Sequence, residues 1–152
     1  MRAGLSRRAA LGGMALLALP AVLSRPARAS RGELVFVVER GGETIGEHRL
    51  AFSAEGTELV VDIAIRLEVT FASIPVFRYT HTNREQWRDG RLIALDSRTD
   101  DDGTPYAVSA RAVAGGLAVE GSDGSLLVDG NILTTAYWHP RTVHVERLLD
   151  TQ

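Results

Sequence analysis

The chain has 152 residues, no cysteine, and 17 basic against 19 acidic residues, for a net charge of −2. The lack of cysteine excludes disulfides, thiolate metal sites and a cysteine nucleophile. Every basic residue is arginine, and five of them (Arg2, Arg7, Arg8, Arg25, Arg28) fall in the first 29 residues. Residues 30–152 therefore carry 12 arginines against 19 acids, a net −7, which argues against nucleic acid as a partner.

Residues 1–29 have three zones: a basic start to Arg8, a short apolar run from Leu11 to Leu23, and Pro26-Ala27-Arg28-Ala29. That order predicts a secretory signal peptide cleaved after Ala29, with an apolar zone too short to span a bilayer. Ser6-Arg7-Arg8 followed by Leu11 fits the twin-arginine pattern, with Ala10 and Gly12 standing where Phe and Lys are common. The expectation is export to the periplasm. The remaining residues, 30–152, are long enough for a single domain with its own core.

Glycine-bearing turns recur along that domain: Gly41-Gly42, Gly56, Asp89-Gly90, Asp102-Gly103, Gly115-Gly116 and Asp123-Gly124. Runs rich in β-branched and aromatic residues lie between them. Strands are predicted over 33–40, 43–54, 57–71, 76–88, 91–99, 104–114, 117–120 and 125–129. In the third run Leu59, Val61, Ile63, Ile65, Leu67, Val69 and Phe71 alternate with polar positions such as Asp62 and Glu68. One face is thus expected to be buried and the other wet. So long a strand favours a curled sheet over a flat one. The fold class is all-β: an antiparallel meander forming a curled sheet or open half-barrel, ending in a short loop or helix segment.

On the fourth run Phe77, Tyr79, His81, Asn83, Glu85 and Trp87 share one face, and Arg78, Arg84 and Arg88 share the other. The aromatic set is expected to face inward. A two-residue Asp89-Gly90 hairpin pairs Trp87 with Leu92, Glu85 with Ala94, Asn83 with Asp96 and His81 with Arg98. His48 joins this inner face from the second run, beside Leu50 and Phe52. The expected inner cluster therefore contains His48, His81, Asn83, Glu85, Asp96 and Arg98. It reads either as a satisfied hydrogen-bond network or as one wall of a ligand pocket.

The tail, Thr134 to Gln152, brings Tyr137, Trp138 and His139-Pro140, with a short helix predicted over 143–149. Tyr137 and Trp138 either plug one end of the sheet or stack on a ligand. His139 and His144 lack a third ligand, so no metal is expected. No G-x-S-x-G elbow or phosphate loop occurs, and no cofactor is expected. Asp100-Asp101-Asp102 reads as a solvated hairpin tip. The candidate ligand-binding residues are His48, Tyr79, His81, Asn83, Glu85, Trp87, Tyr137 and Trp138. Three functions stay open. The first is non-enzymatic binding of a small apolar or amphipathic ligand, or of an envelope partner. The second is a purely structural or interaction module, and the third is an acid–base enzyme using His81 and Glu85 with Tyr79.

The stretches "GGETIGEHRL", "FRYTHTNREQWRDGRLIALDSRTDDDGTPY" and "TAYWHPRTVHVERLLDTQ" resemble an exported bacterial family, domain of unknown function 6134. The strongest marks are Tyr79-x-His81, Glu85-x-Trp87, Asp89-Gly90-Arg91-Leu92, Tyr137-Trp138 and Leu149-Asp150-Thr151-Gln152. The resemblance covers Leu34 to Gln152. It implies an exported β-rich fold, distantly like half-barrel envelope proteins, and it transfers no catalytic residue. Members of that family continue past the Asp-Thr-Gln segment with a Gly turn and further strands. The expectation is therefore a sheet lacking those strands, with an exposed edge open to self-association.

Overall fold

The computed structural model describes residues 30–152. Residues 1–29, expected from sequence to be an export signal, lie outside the described residues. Eight strands form one antiparallel sheet in sequence order: β1 Ser30–Arg40, β2 Glu43–Glu55, β3 Glu58–Phe71, β4 Ile74–Arg88, β5 Arg91–Asp101, β6 Thr104–Val113, β7 Gly116–Gly121 and β8 Gly124–Val128. β1 and β8 are its two edges, and the sheet does not close into a barrel. The predicted meander is the observed one.

Two-residue turns set the strand order locally. Asp89-Gly90 and Asp102-Gly103 have positive φ at both positions, the geometry that matches the twist of a tight hairpin. The turn between β3 and β4 reaches the same geometry without glycine, at Ala72 (φ 50°) and Ser73 (φ 67°). No sequence signal marks that turn, and for this reason β4 begins at Ile74, two residues before the predicted start.

The inner face follows the predicted alternation. Leu50, Val61, Ile63, Trp87, Leu92, Leu95, Val108, Ala110, Leu117 and Val119 are buried. The outer face carries cross-strand ion pairs, Arg84 with Asp62 and Arg88 with Glu58 among them, all solvent-exposed. Such exposed pairs add little stability, and their main effect is to mark the wet face. In β2, a Cβ on Gly46 would lie 1.9 Å from the Arg66 carbonyl oxygen, so only glycine lets the two strands meet there.

Three expectations are corrected. First, the β4–β5 register slips between Gln86 and Trp87, because Ile93 is an extra residue in β5. Trp87 still pairs with Leu92, but Glu85 meets Leu95, Asn83 meets Ser97 and His81 meets Thr99. Asp96 and Arg98 therefore face outward, and Asp96 is bound by Arg111 at 2.7 Å. The bulge replaces two charged inner positions with Leu95, Ser97 and Thr99, which a covered face tolerates. Second, Phe71 is 75 % exposed although its strand alternation assigns it to the buried face. β3 and β4 run past their neighbours there, since β2 pairs no further than Leu67 and β5 no further than Tyr79. Third, no helix covers 143–149. Pro140–His144 is a single 3₁₀ turn, and Leu148–Leu149 is a short strand, β10.

The tail lies against the inner face. It contributes β9 (Leu133–Thr134), which pairs in parallel with β10. Leu133, Ala136 and Leu149 join the core, with Trp138, Val145 and Leu148 packed against it.

Candidate functional site

Two neighbouring arrangements occupy the inner face beneath the tail. The first is centred on Glu85, which is fully buried. Its Oε1 accepts from Asn83 Nδ2 at 3.0 Å. Its Oε2 accepts from Trp87 Nε1 at 3.0 Å and from Trp138 Nε1 at 2.7 Å. Strand alternation places Asn83, Glu85 and Trp87 on one face, and Trp138 arrives from the tail 53 residues later. The two indoles meet edge to face, with ring centroids 5.4 Å apart, and Phe52 packs edge-on to Trp138 at 5.9 Å. Four of the sequence-selected residues thus form one closed network, and its chemistry is that of a clamp. Every donor is a neutral N–H, and the carboxyl group is shut away from solvent.

The second arrangement is an open cleft of about 360 Å³. Its floor is Ile63 and Ile65, its wall His48, Tyr79 and His81, and its lip Tyr137 and Asp150 to Gln152. His81 Nδ1 shares a hydrogen bond of 2.8 Å with Thr99 Oγ1, the partner that the bulge supplies. Tyr79 stacks on His81 with ring centroids 6.3 Å apart, and its hydroxyl donates to Gln152 Oε1 at 3.2 Å. His48 packs against Phe36 at 5.9 Å, and its Nε2 is buried with no hydrogen-bond partner. The tail is held over this end by Ser97 Oγ, which donates to the Thr151 carbonyl, and is braced internally by Thr151 N, which donates to Thr135 Oγ1 at 3.2 Å.

The selected residues therefore divide. His48, Tyr79, His81 and Tyr137 line the cleft, whereas Asn83, Glu85, Trp87 and Trp138 form the clamp. Tyr137 is largely exposed and does not plug the sheet. His81 and Glu85 lie four residues apart on one strand, about 13 Å at the usual rise. No hydrogen bond joins them among the described residues, so they do not form a dyad. Sequence reasoning missed Thr99, Thr135 and Gln152, which complete the cleft. Only the bulged register and the path of the tail bring them in. Asp100 and Asp102 each accept from a backbone N–H, of Gly103 and Arg78 respectively, as turn residues do. Among the described residues no cluster of three metal-ligating side chains occurs. A larger depression of about 650 Å³, around Arg91, Gly116 and Asn131, contains none of the selected residues.

A family model described as Domain of unknown function (DUF6134) matches residues 36–152. The chain belongs to this family. No curated protein and no solved structure matches the chain. The match takes in both arrangements, so the clamp and the cleft lie within the DUF6134 domain.

Burial lowers the pKa of His48 and of His81 below the ordinary histidine value. For His81 the neighbouring His48 adds to the lowering, and Asp150 opposes it. A histidine with a depressed folded pKa costs no stability while both states are neutral, above about pH 6.5. Below that, the unfolded chain takes up protons more readily and stability falls progressively. Urea unfolding is therefore expected to show lower stability at pH 5 than at pH 7. His81→Gln should flatten that slope, and an unchanged slope would assign the pH dependence to other groups.

Proposed function

We propose that this DUF6134 domain is exported and binds a small amphipathic ligand in the concave cleft, without catalysing a reaction on it. The observation that carries the reading is the buried, unpartnered Nε2 of His48, in a cleft whose wall continues into uncovered apolar surface. Phe36, whose ring lies tilted against His48, is 50 % exposed, as is Leu34 two residues before it on the same face. A ligand with a neutral hydrogen-bonding head meets His48, His81 and Tyr79, while its apolar part lies along Ile63, Ile65 and Phe36. Mixed lining of this kind, in a space of this size, is typical of small-molecule sites. The export half rests on the three-zone segment at residues 1–29 with its Arg7-Arg8 pair.

One experiment tests both halves: native mass spectrometry of the protein recovered from the periplasm of a twin-arginine-competent bacterium. The expected result is a mass beginning at Ser30 that carries an extra small molecule. The same protein with Arg7 and Arg8 both changed to Lys should give no such periplasmic species. A cytoplasmic full-length chain overturns the export half. A periplasmic chain that carries no additional mass, even after incubation with a lipid extract, overturns the binding half and favours a purely structural module.

A further inference from the structure

Strand β1 pairs only with β2 among the described strands, so one row of its backbone N–H and C=O groups faces outward. Natural edge strands are commonly short, bulged or charged at their centre, which prevents pairing. β1 is the reverse. Eleven residues long, it has Leu34, Val35, Phe36 and Val37 at its centre, 50 %, 47 %, 50 % and 63 % exposed. Its charges are confined to the ends: Arg31 and Glu33 on one side, Glu39 and Arg40 on the other.

We infer that β1 is the pairing surface for a second copy of this chain. The two β1 strands meet antiparallel about a two-fold axis through Val35, with Arg31 opposite the partner's Glu39.

The charge pattern selects this register. With Val35 opposite the partner's Val35, Leu34 faces the partner's Phe36, and both ends form an Arg31–Glu39 cross-strand pair. Displacing one strand by two residues in one direction sets Glu33 against the partner's Glu39, a like-charge contact. The same displacement in the other direction leaves no cross-strand ion pair. Opposite charges across a strand pair stabilise it, and like charges destabilise it. A contact of this kind is isologous, since each copy offers the same surface to the other. Directly opposed residues in an antiparallel pair point to the same side. The two concave faces therefore lie on one side of a continuous sixteen-stranded sheet, and Leu34 and Phe36 cover each other across the seam. This pairing does not depend on whether the cleft holds a ligand.

Sedimentation velocity of the purified protein across a concentration series tests the inference. The wild type should dimerise. Arg31→Glu places two acids at each end and should weaken the dimer by about tenfold or more. Arg31→Glu combined with Glu39→Arg should restore it. Val35→Lys, which opposes two ammonium groups at the axis, should leave only monomer, with circular dichroism confirming that the sheet is intact. A wild type that stays monomeric at high concentration overturns the inference. So does a dimer insensitive to Arg31→Glu, or one that the reciprocal charge pair fails to restore. A dimer lost instead through Leu127→Lys on the opposite edge would assign the contact to β8 and overturn it equally.

Discussion

Replacing Glu85 by alanine is expected to lower the stability of the domain by about 3–5 kcal/mol. The reason lies in what remains after the carboxyl group is gone. Asn83 Nδ2, Trp87 Nε1 and Trp138 Nε1 all donate to it, and Glu85 itself is fully buried. A buried donor left without an acceptor costs about 1–3 kcal/mol, and the cavity adds to that. For a domain whose total stability is of order 5–15 kcal/mol, Glu85→Ala leaves little. The melting temperature should fall by roughly 10–20 °C. Glu85→Gln is the informative contrast. Its amide oxygen can still accept from both indoles, and its amide N–H₂ then faces Asn83. The Asn83 Oδ1 has no partner, so turning that side chain over gives the new donor an acceptor. Glu85→Gln should therefore stay within about 1 kcal/mol of the wild type. Equal losses in the two variants would show that the hydrogen-bond accounting is wrong.

Replacing Trp138 by alanine is expected to release the tail while leaving the sheet folded. Trp138 ties the tail to the Glu85 clamp: it donates to Glu85, meets Trp87 and Phe52 edge to face, and contacts the His139 ring at 5.2 Å. Truncating a large aromatic costs about 3 kcal/mol or more, depending on burial, and here the lost contacts belong to one segment. The other attachments of that segment to the sheet are the buried Leu133, Ala136 and Leu149 and two hydrogen bonds, from Ser97 Oγ to the Thr151 carbonyl and from the Tyr79 hydroxyl to Gln152 Oε1. Segments with so few contacts open locally before the whole molecule unfolds. Arg141 and Arg147 lie exposed on the tail, so limited trypsin digestion reports its release. Cleavage at these two sites should rise by about tenfold or more in Trp138→Ala. Trp138→Phe, which keeps an aromatic ring but removes the donor, should fall between the two. A wild-type digestion rate in Trp138→Ala would mean that the tail is held elsewhere.

The sheet was legible because its signals are local. Alternation in β3 and β4 separates the faces residue by residue, and Asp-Gly turns fix two hairpins. The inward set Tyr79, His81, Asn83, Glu85 and Trp87 follows from that alternation alone. The departures come from features without a local signal. Ile93 is an ordinary apolar residue, and only the burial of Leu95, Ser97 and Thr99 beyond it shows why the chain bulges there. Ala72 and Ser73 make a positive-φ turn that their side chains do not advertise. The tail has no regular period, because its conformation is set by the surface beneath it and by Glu85, which its own sequence does not contain. The cleft is a product of that docking. His48, Tyr79 and His81 could be chosen from the strands, but Gln152 and Thr135 reach them only through tertiary structure.

In the proposed function the concave cleft, and not another apolar surface, takes the amphipathic ligand. The most direct test is a nuclear magnetic resonance titration of the protein with dodecyl maltoside below its micelle concentration. The signals to follow are the methyl groups of Ile63, Ile65 and Ile74 and the imidazoles of His48 and His81. Saturable shifts at Ile63, Ile65, His48 and His81, with Ile74 unmoved, are the predicted result. Shifts confined to Ile74, at the exposed β3–β4 tip, or no saturable shift at all, would overturn ligand binding in the cleft.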